Sequence, residues 1–384
     1  MTILSILCLF LVIYKVDATS SHISRLEELE LERHLKLINK TPIRTIQTKF
    51  GDIIDCVDIK KQPAFYHPLL KNHKLQRMPS FENKRRGRNE EGVANRSSEF
   101  EKVLCPIGSV PIRRTTKDDL IRIKSISTLT RDFPQSHFAA VYTKKWDNNN
   151  YYGVNANVNV YNPRVKNNQM SNAQIAVQNG ESYGINSILF GWQVAPRLYG
   201  RKSTHIFALW TRDTFNKTGC YNMLCQGFIQ IHKSIFLGIR VRNVSSYGGP
   251  QFEFSLSISQ DPYSKNWWLI IDGKSVGYFP SELFSNMSRA DVVGWGGRVY
   301  GVVDGTSPQM GSGYFPDGNL RHACFMRRIS YIVSGSLQLE QPNQKLLHIS
   351  VDNSNCYNVK YLGFLDENNR DTIQFGGPGG DCGL

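Results

Sequence analysis

The chain lacks the signatures of several common chemistries. It has no H-E-x-x-H, no G-x-S-x-G and no glycine-rich phosphate loop, so the usual zinc-peptidase, serine-hydrolase and nucleotide sites are excluded. After its first residues no apolar run is long enough to span a membrane. The nine histidines are scattered, and His67 and His73 are badly spaced for a shared metal. Cys220 and Cys225, in GCYNMLC, resemble half of a zinc site, but no second pair follows. A disulfide is the expected state, and neither a metal nor a cofactor is expected. His322 and Cys324 stand two apart, yet no third group is evident to orient an imidazole, so Cys324 reads as structural or unpaired. Acidic residues are outnumbered, 32 against 46 basic, for a formal charge of +14. The excess is spread along the chain rather than massed on a recognisable module, which argues against nucleic acid. An anionic wall polymer such as pectin suits the same charge.

What is present begins with MTILSILCLFLVIYKVDATSS. An apolar run from Ile3 to Ile13 leads to Val16-Asp17-Ala18, a small-residue cleavage pattern. Residues 1–18 read as a secretory signal, and the expected location is extracellular, in the apoplast or cell wall. Cys8 leaves with the signal, and seven cysteines remain, so one thiol is left over. Sequons start at Asn39, Asn95, Asn216, Asn243 and Asn286. Pro42 disfavours the first, which leaves Asn95, Asn216, Asn243 and Asn286 as expected glycosylation sites. Residues 19–40 read as a helix, with Ser24 and Glu27 as a capping box and Ile23, Leu26, Leu31, Leu35 and Ile38 near one stripe. Residues 79–104 are polar and include NKRRGR at 83–88, a solvated linker or a protease-processing site.

Beyond about residue 137 the texture changes. In YYGVNANVNVY, Val154, Ala156, Val158 and Val160 alternate with Asn155, Asn157 and Asn159, the period of a half-buried strand. HIFALW (205–210), FIQIHKSIFLGI (228–239), FEFSLSIS (252–259), WWLIID (267–272), VVGWGGRVY (292–300), RISYIVSG (328–335) and VKYLGF (359–364) read the same way. No helix of three turns is convincing here. More than ten strands without βαβ alternation predict an all-β, antiparallel two-sheet sandwich. A smaller mixed α+β unit precedes it.

IIDCVDIKKQPAFYHPLLKNHKLQ (53–76) resembles the activation peptide of the neprosin family, the plant glutamic endopeptidases. GWQVAP (191–196), TGCYNMLCQGF (218–228), DPYSKNWWL (261–269), VGYFP (276–280), WGG (295–297) and QMGSGYFP (309–316) resemble its catalytic domain, in the family's order. The resemblance runs from about residue 25 to the C-terminus. It implies an activation unit over 19–130 and a β-sandwich over 135–384, like that of fungal glutamic peptidases. It also implies secretion as a proform, release of the N-terminal part in acid, and peptide cleavage next to proline. The expected disulfides are Cys56–Cys105, Cys220–Cys225 and Cys356–Cys382, which leaves Cys324 free.

Glutamic-peptidase chemistry needs one ionised carboxyl group to activate water and one protonated group to donate a proton. The family carries glutamates two residues before the GW of GWQV and directly after WGG. Here those positions hold Leu189 and Arg298. Leucine cannot titrate, and arginine cannot act as a base. Glu181, Glu253, Glu282 and Asp304 are candidate substitutes; Asp291 lies too far along its strand. Trp192, Gln193, Trp295, Gly296 and Gly297 are expected along the cleft. Of the adjacent Trp267 and Trp268, one is expected to face the core and one outward. The leading expectation is a secreted, non-catalytic peptidase homologue that binds an extended, proline-containing peptide or an anionic ligand. The alternatives are an acid peptidase using displaced carboxylates and a wall-polysaccharide-binding protein.

Overall fold

The period-two texture folds as two antiparallel sheets with their apolar faces together. The computed structural model describes residues 25–82, 96–122, 136–144, 150–301, 305–333 and 338–383 of the 384-residue chain. The signal segment, Ser24, the NKRRGR run, Asn95 and Asp304 lie outside the described residues.

The N-terminal part opens with α1 (Arg25–Ile38). Ile38 alone is buried on that helix and Leu26 is exposed, so the expected apolar stripe is not a buried face. A small sheet follows, with β1 (Pro42–Gln47), β2 (Ile53–Asp58) and β3 (Ser109–Arg113) paired antiparallel in that order. Cys56 on β2 is bonded to Cys105. That bond has a consequence for processing. A cut anywhere in 83–88 leaves the two pieces covalently joined. After nicking there, the chain should run as one species without reductant and as two with it. Separation without reductant would show that the bond is not formed.

The seven-stranded sheet uses β4 (Ser136–Thr143), β6 (Met170–Asn179), β7 (Asn186–Val194), β8 (Thr204–Thr211), β12 (Val292–Tyr300) and β14 (Leu347–Val351). With the short strand Cys220–Tyr221 at one edge, the order is Cys220–Tyr221, β8, β7, β6, β12, β4, β14. The second sheet is built on β5 (Gly153–Asn159), β9 (Phe252–Gln260), β10 (Trp267–Ile271), β11 (Lys274–Phe279), β13 (Cys324–Ile332), β15 (Asn358–Phe364) and β16 (Asp371–Gly376), in the order β11, β10, β9, β5, β13, β16, β15. One core fills the space between the sheets. It includes Val154, Ala156 and Val158 from β5 and Ile188, Phe190 and Trp192 from β7. The antiparallel sandwich expected from the sequence is the fold.

Two details differ from expectation. FIQIHKSIFLGI contributes only the two-residue strand Ile229–Gln230, because the rest of the segment turns at His232, whose Nδ1 accepts the Ile235 N–H at 3.0 Å. Trp267 and Trp268 are both fully buried. The outward ring, Trp268, meets Tyr278 at 4.6 Å, and the N-terminal part covers that side of the sheet. His73 reaches the Tyr278 hydroxyl at 2.9 Å, and Gln76 donates to Asp261 at 3.0 Å. Gln62 and Gln230 exchange two further hydrogen bonds across the same contact.

Candidate functional site

Residues directly opposite each other on neighbouring strands project to the same face. On the face of the seven-stranded sheet turned away from the second sheet, the register sets out three transverse rows. One runs Leu209, Leu189, Ala176, Gly294, Tyr142. The next is Phe207, Gly191, Gln174, Gly296, Ala140. The third is His205, Gln193, Asn172, Arg298, Phe138. Leu189 and Arg298 therefore share this face, with β6 between their strands.

Trp192, Trp295 and Gly297 alternate to the other side, which corrects their expected place in a cleft. Trp192 is fully buried and donates its Nε1–H to the Asn159 carbonyl at 2.8 Å; Trp295 does the same to Asn155 at 3.0 Å. A side chain at Gly297 would meet Met310 and Phe375 in the core. Gln193 and Gly296 do lie on the outer face.

The middle row explains the glycines of the two motifs. A Cβ at Gly191 would sit 1.9 Å from the Ala173 carbonyl oxygen, and one at Gly296 would sit 2.4 Å from that of Ala139. Neither neighbour can yield without moving a strand. Gly191→Ala should therefore cost about 1–3 kcal/mol in unfolding free energy, as overpacking does. An unchanged denaturation midpoint would contradict this close approach. Gly294 works differently, since the Tyr142 ring occupies the space a side chain would need. Gln174 stands up between Gly191 and Gly296. It makes no hydrogen bond among the described residues, and its Oε1 is buried.

Leu189 is buried in a second apolar cluster on this face, with Ala176, Phe207, Leu209, Tyr221 and Tyr300. Arg298 is half-buried. Its backbone N–H donates to Asn172 Oδ1 at 3.2 Å, and its guanidinium lies 5.5 Å from the Phe138 ring centre and 5.8 Å from that of Tyr300. The Tyr300 phenol, hydrogen-bonded to the guanidinium, holds it still more firmly protonated than an ordinary arginine, against desolvation. Tyr142 and Tyr221 also lie within electrostatic reach, and burial raises both phenols above the usual tyrosine range. Both therefore stay neutral O–H donors. Tyr142 closes one end of the Leu189 row, and Tyr221 pairs with Leu209 at the other. The Arg298 guanidinium thus sits within 6 Å of the Phe138 and Tyr300 ring centres.

The candidate substitute carboxylates are engaged elsewhere. Glu253 is on the second sheet and takes Arg327 Nε at 2.9 Å, with both side chains buried. Glu282 meets His73 of the N-terminal part at 2.9 Å. Glu181 is exposed in the turn between β6 and β7. Asp291 accepts the Gly180 N–H at 3.3 Å. No strand of the seven-stranded sheet carries an aspartate or glutamate.

Other candidates also resolve. Cys220 is bonded to Cys225 and Cys356 to Cys382, while Cys324 is buried and free. His322 precedes the strand of Cys324 and pairs with Asp317 at 2.6 Å, so the two do not form a nucleophilic pair. No group of three metal-ligating side chains occurs among the described residues. Asn216 and Asn286 are exposed and Asn243 is half-buried. Asn39 is held by two hydrogen bonds to the Thr115 backbone. Tyr142, Gln174, Tyr221 and Tyr300 were not anticipated as site residues.

The family models for Neprosin and for the Neprosin activation peptide match residues 167–378 and 45–156. The chain belongs to the neprosin family. Among solved structures it is similar to Scytalido-glutamic peptidase bound to a peptide-based transition-state analogue, at 10% identity and TM-score 0.32, over 63% of this chain and 97% of that one. It is also similar to SCP-B, an Eqolisin-family peptidase in complex with the tripeptide Ala-Ile-His, at 10% identity and TM-score 0.29, over 63% and 96%. CG-16, a homodimeric agglutinin from chicken liver, matches at 10% identity and TM-score 0.24, over 43% and 96%. The activation-peptide match extends through β4 and into β5, both integral to the sandwich of this neprosin-family chain.

Proposed function

We propose that this chain is a secreted, non-catalytic member of the neprosin family, whose outer-face groove holds a ligand without cutting it. The observation that carries this reading is the absence of any carboxylate from the strands of the seven-stranded sheet, with Leu189 and Arg298 at the two positions where the family's pattern has glutamates. General acid–base assistance contributes about 10²–10⁴-fold to such reactions, and both groups are replaced. On this reading the N-terminal part ends before Ser136, since β4 pairs with both β12 and β14 and cannot leave without opening the sheet.

The test is an assay of the purified chain at acid pH on proline-containing peptides. No product above the buffer blank is expected. Pepstatin-resistant cleavage that copurifies with the chain would defeat the reading in favour of displaced carboxylates. Retention on a pectin column, lost in moderate salt, would point to a wall-polymer ligand instead.

A further inference from the structure

A cleft separate from the outer-face groove lies at the seam between the N-terminal part and the second sheet. It encloses about 520 Å³, inside the range of about 300–1,000 Å³ usual for small-molecule sites. Main-chain hydrogen bonds hold its walls. The Ile59 N–H donates to the Gly108 carbonyl at 3.0 Å, and the Ser109 N–H to that of Pro106 at 3.1 Å. Across the seam the Cys105 N–H donates to the Lys233 carbonyl at 3.0 Å, and Ile231 and His232 both donate to Val276 on β11. The cleft is thus formed before any ligand arrives. Its chemistry is two-sided. Ile59, Met78, Ile107 and Ile231 give it an apolar lining, and Ile107 is 96% exposed. Arg77, Lys233 and Lys274 bring three cations from three separate segments, and Glu82 is the one acid among the described residues that line it. None of the three cations forms an ion pair with a described carboxylate. Asp272, in the turn ahead of β11, is taken up by the Ser255 N–H at 2.8 Å and the Ser97 hydroxyl at 3.1 Å. His232 adds a donor. Its Nδ1 accepts the Ser234 and Ile235 N–H groups at 3.2 and 3.0 Å, so the neutral ring carries its proton on Nε2, which has no partner among the described residues. Burial, with Lys274 and Lys233 acting in the same direction, keeps that ring neutral at neutral pH.

We propose that this cleft binds a small carboxylic acid with an apolar body, its carboxylate set among Arg77, Lys233 and Lys274 and its body against the isoleucines and Met78. A cleft lined by charges of one sign concentrates counter-ions of the other. An anion among the three cations also relieves their mutual repulsion. A sugar acid would leave the apolar lining unused, and a neutral apolar molecule would leave the cations unused. Because the ligand touches both walls, it fastens the N-terminal part to the sandwich and stabilises the folded chain. The inference is independent of the reading of the outer-face groove, since no residue of the Leu189 and Arg298 rows lines this cleft.

The experiment titrates 2-naphthoate into the full chain at neutral pH and follows the probe's fluorescence, with 2-naphthamide as its uncharged twin. One equivalent of the acid should bind, about tenfold more tightly than the amide, the effect of a charge-assisted hydrogen bond. The acid should also raise the unfolding temperature, as linkage requires of a ligand held by the folded state. Lys233→Gln together with Lys274→Gln should equalise acid and amide; both side chains are exposed, so the fold is not at risk. Ile107→Glu puts a carboxylate on the N-terminal wall and should weaken the acid at least about tenfold. Thermal unfolding of each variant alone checks that it is folded. Equal binding of acid and amide by the parent chain overturns the proposal. So do several equivalent weak sites, a preference that survives the double lysine substitution, or indifference to Ile107→Glu. Loss of binding in Arg298→Met would place the acid in the outer-face groove and overturn the seam site. Displacement of naphthoate by trigalacturonate more readily than by octanoate overturns the apolar body.

Discussion

A chain carrying Leu189→Glu together with Arg298→Glu should cleave peptides in acid at least about a hundredfold faster than the parent. Position 189 is 7% exposed and lies among Ala176, Leu209 and Tyr221. A carboxyl group there would be raised by burial and kept protonated, the state wanted of the proton donor. Leu189→Glu alone should not suffice. Arg298 cannot act as the general base, so a single carboxyl group leaves the pair incomplete. Register offsets the two positions by four residues and two strands, or about 13 Å along and about 10 Å across a flat sheet. The double variant should also lose about 1–3 kcal/mol of stability, because a polar group enters an apolar cluster. Rates per folded molecule, with folding followed by near-ultraviolet dichroism, are therefore the proper comparison. A folded but silent double variant would mean that other parts of the groove have diverged.

The sandwich was legible because its strands alternate, and alternation needs no long-range information. Asn155 and Asn157 lie on one side of β5 and Val154 and Ala156 on the other, as period two requires. The aromatic cleft was misread for a related reason. Trp192 and Trp295 stand in the two motifs that carry the family resemblance, but alternation turns them away from Leu189 and Arg298. Applying period two to GWQV and VVGWGGRVY would have placed both rings in the core. Trp268 could not have been placed this way. Its outward side is buried by the distant segment around His73 and Gln76, which no local pattern reveals. The phenols around Arg298 come from β4, the Cys220–Tyr221 edge and the end of β12. Their convergence depends on strand order, which the sequence does not spell out. Gln174 lies in QMSNAQIAVQ, whose alternation could have flagged it.

Acid should weaken the fold chiefly through His205, which ends the third row. The ring is 1% exposed, stacks on Tyr199 at 3.8 Å and has Nδ1 2.7 Å from the Ser203 carbonyl. Burial, reinforced by Arg113, Arg201 and Arg240, depresses it from 6.5 to about 3. Above pH 6.5 neither the folded nor the unfolded state binds this proton, and His205 costs nothing. Below that value the unfolded chain takes up a proton that the folded chain refuses, so stability falls as pH drops toward 3. Each pH unit in that interval is worth about 1.4 kcal/mol, so about 2 kcal/mol should be lost by about pH 5. His67 and His232 are also lowered by burial and act in the same direction. Glu101, raised by burial, acts in the opposite one, since its folded form takes up a proton more readily. A His205→Phe variant keeps the stack on Tyr199 and removes the titration. Its unfolding free energy should fall less steeply than the parent's between pH 6.5 and about 5, whatever its absolute stability. Parallel slopes would show that His205 is not the group responsible. The effect is also directional. Arg113 belongs to the N-terminal part, Arg201 and Arg240 to the sandwich, and Asp52 bridges Arg113 at 3.1 Å and Arg201 at 3.4 Å. Phe50 lies 3.6 Å beneath the Arg240 guanidinium at the same contact. A proton forced onto His205 adds a fourth positive charge beside Arg113, Arg201 and Arg240, whose acidic neighbours Asp52 and Asp119 are already paired with arginine. The contact it strains first is the one joining the N-terminal part to the sandwich.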